Sequence, residues 1–322
     1  MVVGAQLWQR PLRAALITVL ALASAMSGVV LGQEDTLLAH LMDLEKEHAS
    51  LCSMPEGRSD LRSTIDTIVK ELDTSAGGTA GSQRVDALNH LLFDHLAIKA
   101  SQDLKDPCNL LPSDVLERKQ GYCVGIAALY LLLAGRLDLP IYAVATPSHV
   151  FLRYDDGAVR VNIETLRGGA GVPDEQYIRE QKIPEESIRR GIFMRNLTTD
   201  EFLAQVLNNL GVVYSERKDY DAAAGEYERA LDLDPRLPAA LYNWGNDLLR
   251  QGVYRRAARL FSKSLRLFPN DIWALNNRGL AYMNMEKREK ARRDFEAALA
   301  MDPGFEAARK NLGRLAAEPS AK

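Results

Sequence analysis

Apolar residues recur at helical spacing through the first third of the chain. They return every three or four positions from Asp35 to Leu72, with a break at residues 55–57, and again from Val85 to Ile98. This spacing lines one face of a helix with apolar side chains. Pro112 then opens a short segment that stops at Gly121. We therefore predict an all-helical front part.

The pattern changes in the middle of the chain. The segment from Cys123 to Leu137 is apolar on every side, which predicts a buried helix. Short β-rich segments follow at residues 141–144, 150–154 and 159–163, and Asp156-Gly157 is a typical two-residue hairpin turn. This order predicts an α+β domain in which helices precede a small antiparallel sheet.

A period of 34 residues governs the last third of the chain. Four kinds of residue keep this step: Gly211, Gly245, Gly279 and Gly313; Ala223, Ala257 and Ala291; Tyr227, Phe261 and Phe295; Pro235, Pro269 and Pro303. The pattern is similar to the tetratricopeptide repeat, a pair of helices that packs on identical neighbours. We predict three repeats and an end helix, an all-α solenoid over residues 198–316 that opens with a capping box at Thr198 and Glu201.

The first helices of such repeats form a concave surface that recognises protein or peptide partners. We place five residues of this chain on that surface: Asn208, Tyr242, Asn246, Trp273 and Asn276. The predicted surface has no cluster of lysine and arginine, so a clamp for a terminal carboxylate is not expected.

The N-terminus has the layout of an export signal. Arg10 and Arg13 precede an uncharged stretch over residues 14–32, and no acidic residue occurs before Glu34. Residues 1–32 are predicted to be a cleaved signal peptide or an uncleaved membrane anchor. Either role predicts a protein outside the cytoplasm, periplasmic or secreted, with a membrane tether if the segment is kept.

The length and net charge of the chain indicate how many domains it can form and which partners are not expected. The chain has 322 residues, enough for two domains, and its 40 basic and 43 acidic residues leave a net charge of -3. No dense basic run occurs, so nucleic acid is not an expected partner. No motif predicts a cofactor or a metal site.

The chain has three cysteines, Cys52, Cys108 and Cys123. An odd number in an exported protein leaves at least one thiol unpaired or bonded to another chain. Cys52 and Cys108 either form a disulfide or are two ordinary buried thiols.

Cys123 has the environment of a nucleophile. It begins a buried helix, whose N–H groups and dipole stabilise a thiolate, and it follows Gly121, which we expect to let substrate approach. If Asp156-Gly157 is a two-residue turn, Asp155 faces Ala158 and His149 lies directly opposite Glu164. A carboxylate that orients an imidazole is the arrangement required of a general base beside a thiol. The same register sets Arg153 against Arg160, an unfavourable pair of like charges.

The order of a helix-borne cysteine, a histidine that opens a strand and an acid on the next strand resembles the transglutaminase-like fold, a rearranged relative of the papain-like thiol enzymes. The segment QGYCVGIAALYLLLAGRLDLPIYAVATPSHVFLRYDDGAVRVNIET carries this resemblance, and it is similar to the bacterial branch in which tetratricopeptide repeats follow the core. The resemblance implies a catalytic core over residues 34–195 with Cys123 as nucleophile, His149 as base and acid, and Glu164 where aspartate is more frequent. Gln120 or the backbone N–H of Cys123 is the candidate oxyanion donor.

The implied reaction is thiol-dependent acyl transfer to water or to an amine, without a cofactor, on a protein or peptide. The short linker before Thr198 keeps the repeats close to Cys123, so we expect them to deliver the substrate or an assembly partner. The alternative is a catalytically silent core that folds while the repeats act as a protein-interaction adaptor.

Overall fold

The computed structural model describes residues 35–52, 60–75, 81–101, 103 and 106–317. The predicted export segment, residues 1–32, lies outside them. No helix in the described ranges is both long enough and apolar enough to cross a membrane.

The front part is helical, as its apolar spacing predicts. Leu38, Leu41, Ile65 and Leu88 are fully buried, and each lies on the apolar face of its helix. The elements are α1 (35–47), a 3₁₀ turn (Ala49–Leu51), α2 (Leu61–Ser75), α3 (Gly81–Asn89), a π-helical turn (His90–His95), a second 3₁₀ turn (Pro107–Asn109), α4 (Pro112–Arg118) and the buried α5 (Cys123–Arg136).

The strands that follow form a small antiparallel sheet. Its order is β3 (Ile141–Ala145), β4 (Val150–Asp155) and β5 (Arg160–Ile163). Two residues of β1 (Lys99–Ala100) pair in parallel with β2 (Gln120–Gly121), directly before α5. After the sheet come a 3₁₀ turn (Thr165–Arg167) and two short helices, α6 (Asp174–Glu180) and α7 (Glu185–Arg189).

The predicted register of the hairpin is wrong by two residues. Asp155 pairs with Arg160, so the loop between β4 and β5 has four residues rather than two. The side chain of Asp156 stabilises this wider loop by accepting hydrogen bonds from the N–H groups of Ala158 and Val159 at 2.9 and 2.7 Å. A shift of two keeps every side chain on its expected face, because strands alternate with a period of two.

The observed register removes the predicted pairing of Arg153 with Arg160. Arg153 lies opposite Asn162, and Arg160 instead pairs with Asp155 at 2.9 Å. The side chain of Arg153 is buried and bonds Asn162 Oδ1 at 2.8 Å and Asp174 Oδ1 at 2.6 Å. This ion pair connects the sheet to α6.

The repeats form a helical solenoid. Its helices are α8 (Thr199–Glu216), α9 (Tyr220–Leu233), α10 (Pro238–Arg250), α11 (Tyr254–Leu267), α12 (Ile272–Asn284), α13 (Arg288–Met301) and the end helix α14 (Glu306–Ala317). Thr198 and Glu201 form the predicted capping box at the start of α8.

The repeating glycines let the two helices of each repeat approach closely. A Cβ atom at Gly211, Gly245 or Gly279 would lie 2.5–3.0 Å from the aromatic ring of the same repeat, Tyr227, Phe261 or Phe295. Gly313 in the end helix has no atom within 4 Å of that position, because no aromatic partner follows it. Glycine and aromatic residue therefore recur together as a packing unit.

One cluster of buried apolar residues joins the core domain to the first repeats. A continuous cluster of buried residues runs from α1 through α5 and the sheet to Phe202, Leu207 and Ala240 in the first repeats. The helices α8 and α10 are therefore fixed against the core domain by apolar burial.

Cys52 and Cys108 form a disulfide, with Cα atoms 5.6 Å apart, which decides between the two alternatives left open by the sequence. It ties the end of α1 to the turn before α4. All three cysteines lie in the described part of the chain, and Cys123 is the one with a free thiol.

Candidate active site

Cys123 is the first residue of α5. Tyr122 precedes it in an extended conformation, and the hydrogen bond from Ile126 N–H to the Tyr122 carbonyl closes the first turn of the helix. The N–H groups of this first turn have no carbonyl acceptor within the helix. Because Cys123 and Val124 both line an open cavity, these donors and the positive end of the helix dipole lie beside the thiol.

His149 and Glu164 are brought together by the hairpin, although they are not direct ladder partners. His149 precedes β4 and Glu164 follows β5. With the two-residue shift they are diagonal neighbours on one face, and the Nε2 atom of His149 lies 2.8 Å from Glu164 Oε2 and 3.0 Å from Oε1. This leaves Nδ1 as the ring nitrogen available to the thiol of Cys123, which lines the same cavity.

Glu164 is held by three donors. It is buried, accepts from the Tyr177 hydroxyl at 2.6 Å through Oε2, and accepts from the Leu166 N–H at 2.9 Å through Oε1. Burial by itself raises the pKa of Glu164, but bonds from His149, Tyr177 and Leu166 outweigh burial and lower the pKa below its usual value. The carboxylate is therefore ionised, oriented and directed at the imidazole.

The imidazole of His149 favours its protonated, cationic form. Burial by itself lowers its pKa, but hydrogen bonds and charge from Cys123 and Glu164 outweigh burial and raise the pKa to about 9. The arrangement Cys123, His149 and Glu164 thus favours an imidazolium between a sulfur and a carboxylate.

Gln120 and Gly121, which precede Cys123, do not have the roles that the sequence predicts. Gln120 is exposed on β2 and is not among the residues that line the cavity, which leaves the backbone N–H of Cys123 as the nearer oxyanion donor. A Cβ atom at Gly121 would lie 2.8 Å from Val115 and 2.9 Å from Ile126, so this glycine serves core packing rather than substrate approach. Arg118, three residues before Gly121, bonds Asp106 at 2.7 Å.

The cavity beside Cys123 has a volume of about 440 Å³ and two walls. One wall belongs to the core domain and includes Cys123, His149 and Phe193. The other belongs to the repeats and includes three residues predicted for the concave surface, Asn208, Tyr242 and Trp273. Among the described residues that line the cavity there is neither lysine nor arginine.

The five residues predicted for the concave surface are not equally accessible. Trp273 is 55% exposed, and Tyr242 is half-buried with its hydroxyl accepting a hydrogen bond from Asn277. Asn246 also accepts from Asn277, outside the cavity. Asn208 and Asn276 are buried and accept hydrogen bonds from the neighbouring repeat, the first from Asn243 and the second from Asn311. The asparagines therefore link successive repeats.

Sequence reasoning missed Tyr177. The stretch before Thr198 that the sequence predicts to be a linker contains α6, which returns across the sheet and stacks Tyr177 on Phe151, with ring centroids 4.3 Å apart. The available signal was local: Pro173 followed by Asp174 and Glu175 is typical of a helix start. The contact of Tyr177 with Glu164 could not be predicted from the sequence, because it depends on where α6 packs against the sheet.

Family comparison agrees with this architecture. Residues 59–208 match the family model of the transglutaminase-like superfamily. Residues 204–237, 242–283 and 272–305 match models of the tetratricopeptide repeat. The chain thus carries a transglutaminase-like domain followed by tetratricopeptide repeats.

Curated proteins similar to this chain include a UPF0162 protein of Xylella fastidiosa (strain 9a5c). The two are 29% identical over 176 residues, which is 52% of this chain and 61% of the relative. F-box only protein 21 of Mus musculus is 38% identical over 78 residues, 24% of this chain and 12% of that protein. This chain therefore spans less than two thirds of the length of each.

Solved structures similar to this chain include tetratricopeptide domains. The first such domain of human RPAP3 is 26% identical and matches 36% of this chain and 91% of its own, with a TM-score of 0.35. The domain of Arabidopsis OM64 is 21% identical and matches 36% of this chain and 96% of its own, also with a TM-score of 0.35.

Proposed function

We propose that this protein is a thiol-dependent acyltransferase or hydrolase whose substrate is a polypeptide segment held between the core domain and the repeats. One observation carries the proposal: the cavity that contains Cys123 and His149 is closed on its other side by Asn208, Tyr242 and Trp273 of the repeats. A nucleophile and a recognition surface thus share one cavity.

The chemistry follows from the order of the three side chains. The Cys123 thiolate attacks the carbonyl carbon of an amide, and the oxyanion formed is stabilised by N–H groups at the start of α5. The His149 imidazolium gives its proton to the leaving amine, which departs and leaves a thioester on Cys123. The neutral imidazole then takes a proton from water or from an acceptor amine as that nucleophile releases the acyl group. Glu164 fixes the ring and stabilises its charged form.

A polypeptide fits the second wall better than a small anion. The lining has aromatic surface from Tyr242, Trp273 and Phe268, together with side-chain amides from Asn209 and Asn243. Amide side chains both donate and accept hydrogen bonds, as a peptide backbone does. The described lining offers no lysine or arginine to bind a phosphate or a terminal carboxylate.

We also propose that the protein acts outside the cytoplasm. The disulfide between Cys52 and Cys108 supports this location, because such bonds persist in oxidising compartments. The charged and apolar layout of residues 1–32 is the second support.

The test is to incubate the protein with a mixture of peptides and to examine the intact protein by mass spectrometry after acid quench. We expect an acyl adduct on Cys123 that is cleaved by hydroxylamine, the reagent for thioesters. The Cys123→Ser and His149→Asn variants should form none, whereas a His90→Asn variant, altered at an exposed histidine on the π-helical turn, should behave like the parent.

A second measurement separates catalysis from simple thiol exposure. The rate of alkylation of Cys123 by iodoacetamide should fall at least tenfold in His149→Asn and remain unchanged in His90→Asn. Peptide binding with no acyl adduct and with equal alkylation rates would contradict the enzyme and would favour the silent adaptor.

A further inference from the structure

A second cluster of ligating side chains lies where the front helices meet the first repeat. It consists of Glu47 at the end of α1, His48 directly after it, and Glu226 on α9. One ligand atom from each of these residues lies within 4.8 Å of the other two. The cluster is separate from the Cys123 cavity and shares no residue with it.

The histidine in this cluster has a buried nitrogen without a hydrogen bond. His48 is 4% exposed, and its Nδ1 lies 2.8 Å from the Tyr214 hydroxyl. Its Nε2 has no hydrogen-bond partner within the described part of the chain and faces Glu226 Oε1 at 3.7 Å and Glu47 Oε2 at 4.0 Å. A histidine that gives its Nδ1 proton to an oxygen presents the Nε2 lone pair outward, the form that ligates a metal.

Both carboxylates of the cluster already accept hydrogen bonds from one arginine. The guanidinium of Arg229 bonds Glu47 Oε1 at 2.9 Å and Glu226 Oε2 at 3.2 Å, and also reaches Glu226 Oε1 at 3.1 Å. Glu47 thus turns its second oxygen, Oε2, toward the histidine. Hydrogen bonds from neighbouring side chains orient the carboxylates that bind metals. The two glutamates and one arginine leave the cluster with one uncompensated negative charge.

We propose that Glu47, His48 and Glu226 bind one zinc ion at this junction. One imidazole nitrogen and two carboxylate oxygens are ligands that zinc accepts, and three protein ligands leave a fourth position for water. Bonds of about 2.0 to 2.2 Å require the three atoms to move somewhat closer together than they are. Glu47 can supply that movement, since its side chain is half exposed.

The ion would join two parts of the chain. Glu47 and His48 belong to the front helices, while Glu226 and the second partner, Tyr214, belong to the first repeat. A bound zinc ion therefore adds a second link between the first repeat and the core domain, beside the apolar contacts that they share.

Zinc binding is measured on the full chain in a Cys123→Ser background, because the thiol, His149 and Glu164 form a competing set of ligands. After treatment with a chelator and addition of zinc, we expect about one zinc ion per chain by elemental analysis and a higher melting temperature. Magnesium, which prefers oxygen ligands in an octahedron, should have neither effect.

Three variants locate the site. His48→Gln and Glu226→Gln should weaken zinc binding at least tenfold, and Glu47→Gln, at a half-exposed position, should do so while the chain stays folded. His40→Gln is the matched control, since His40 lies exposed on α1 and bonds the Thr36 carbonyl. No zinc above background in the parent, or equal affinity in Glu47→Gln and His40→Gln, would overturn the proposal.

Discussion

Individual hydrogen bonds determine the charge state of the candidate active site. Glu164 receives donors from His149, Tyr177 and Leu166, and His149 lies between this carboxylate and the Cys123 thiol. Burial disfavours the charged imidazole, yet its two partners favour it more strongly and raise the pKa to about 9. The ring is consequently a proton donor at neutral pH.

This shift predicts how the site responds to pH. Because the folded pKa of His149 lies above its ordinary value of 6.5, the stability that the charged ring contributes is complete below about pH 6.5 and is lost as pH rises through about 9. The imidazole resonance, assigned with His149→Asn, should titrate near pH 9 by NMR, and acylation should decline over the same range.

Glu164→Gln tests the cause of the shift. Replacing the carboxylate with a neutral amide should move the titration of His149 to lower pH, because one of its two stabilising partners loses its charge. His90→Asn, altered at an exposed histidine that pairs with Asp94, is the control variant and should leave the titration of His149 unchanged. A midpoint for His149 near 6.5 in the parent protein would contradict the assigned geometry.

A buried ion pair fixes the sheet to the helix that follows it. Arg153 on β4 is 1% exposed and bonds Asn162 on β5, Asp174 at the start of α6 and the Met194 carbonyl. This pair determines where α6 lies, and α6 carries Tyr177 to Glu164. The contact between Tyr177 and Glu164 therefore depends on an ion pair outside the candidate site.

Asp174→Ala should destabilise the protein strongly. The substitution leaves the Arg153 guanidinium buried without a counter-charge. We expect the unfolding free energy to fall by about 3 kcal/mol. This is near the low end for the loss of a buried partner, because the side chain of Asp174 is 31% exposed. Chemical denaturation measures the change. Arg160→Gln is the control, since it breaks an ion pair of the same sheet whose arginine is 61% exposed, and it should cost no more than about 1 kcal/mol. Equal costs for both variants would show that Arg153 does not depend on Asp174.

The elements and the candidate site were predictable to different degrees. Periodicity identified the helices of the front part, the buried α5, the order of the strands and the repeats, because each depends on nearby residues. The expected turn of two residues was wrong, since the side chain of Asp156 stabilises a loop of four. His149 and Glu164 were nevertheless expected on one face, because the error preserved the alternation of the strands. Tyr177 and the ion pair at Arg153 depend on the return of α6, which no local pattern encodes.

At the scale of the whole molecule, the repeats form one wall of the cavity that contains Cys123. The shared hydrophobic core fixes α8 and α10 beside the core domain, and the resulting cavity has one wall from each part. Trp273 is the most exposed aromatic side chain named on that second wall, and it packs edge-on against Phe305 at 4.7 Å between ring centroids.

Trp273→Ala should separate recognition from folding. We expect peptides that acylate the parent protein to bind the Cys123→Ser, Trp273→Ala variant at least tenfold more weakly than Cys123→Ser alone, by fluorescence polarisation. Unfolding free energy should fall by only about 1 kcal/mol, from the lost contact with Phe305. Phe295→Ala is the contrasting variant, because Phe295 is fully buried against Gly279 and its loss should cost about 3 to 5 kcal/mol. Unchanged affinity in a folded Trp273→Ala protein would remove the repeats from substrate binding.

The 34-residue period has a consequence for how such a protein diversifies in evolution. Cys123, His149 and Glu164 come from the core domain, whereas the opposite wall of the cavity comes from units that are repeated in tandem. Substitutions on the inner faces of α8, α10 and α12, or the gain of another unit after α13, alter or extend that wall and leave Cys123, His149 and Glu164 in place. Selection can therefore change the shape of that wall without changing the three side chains of the candidate site.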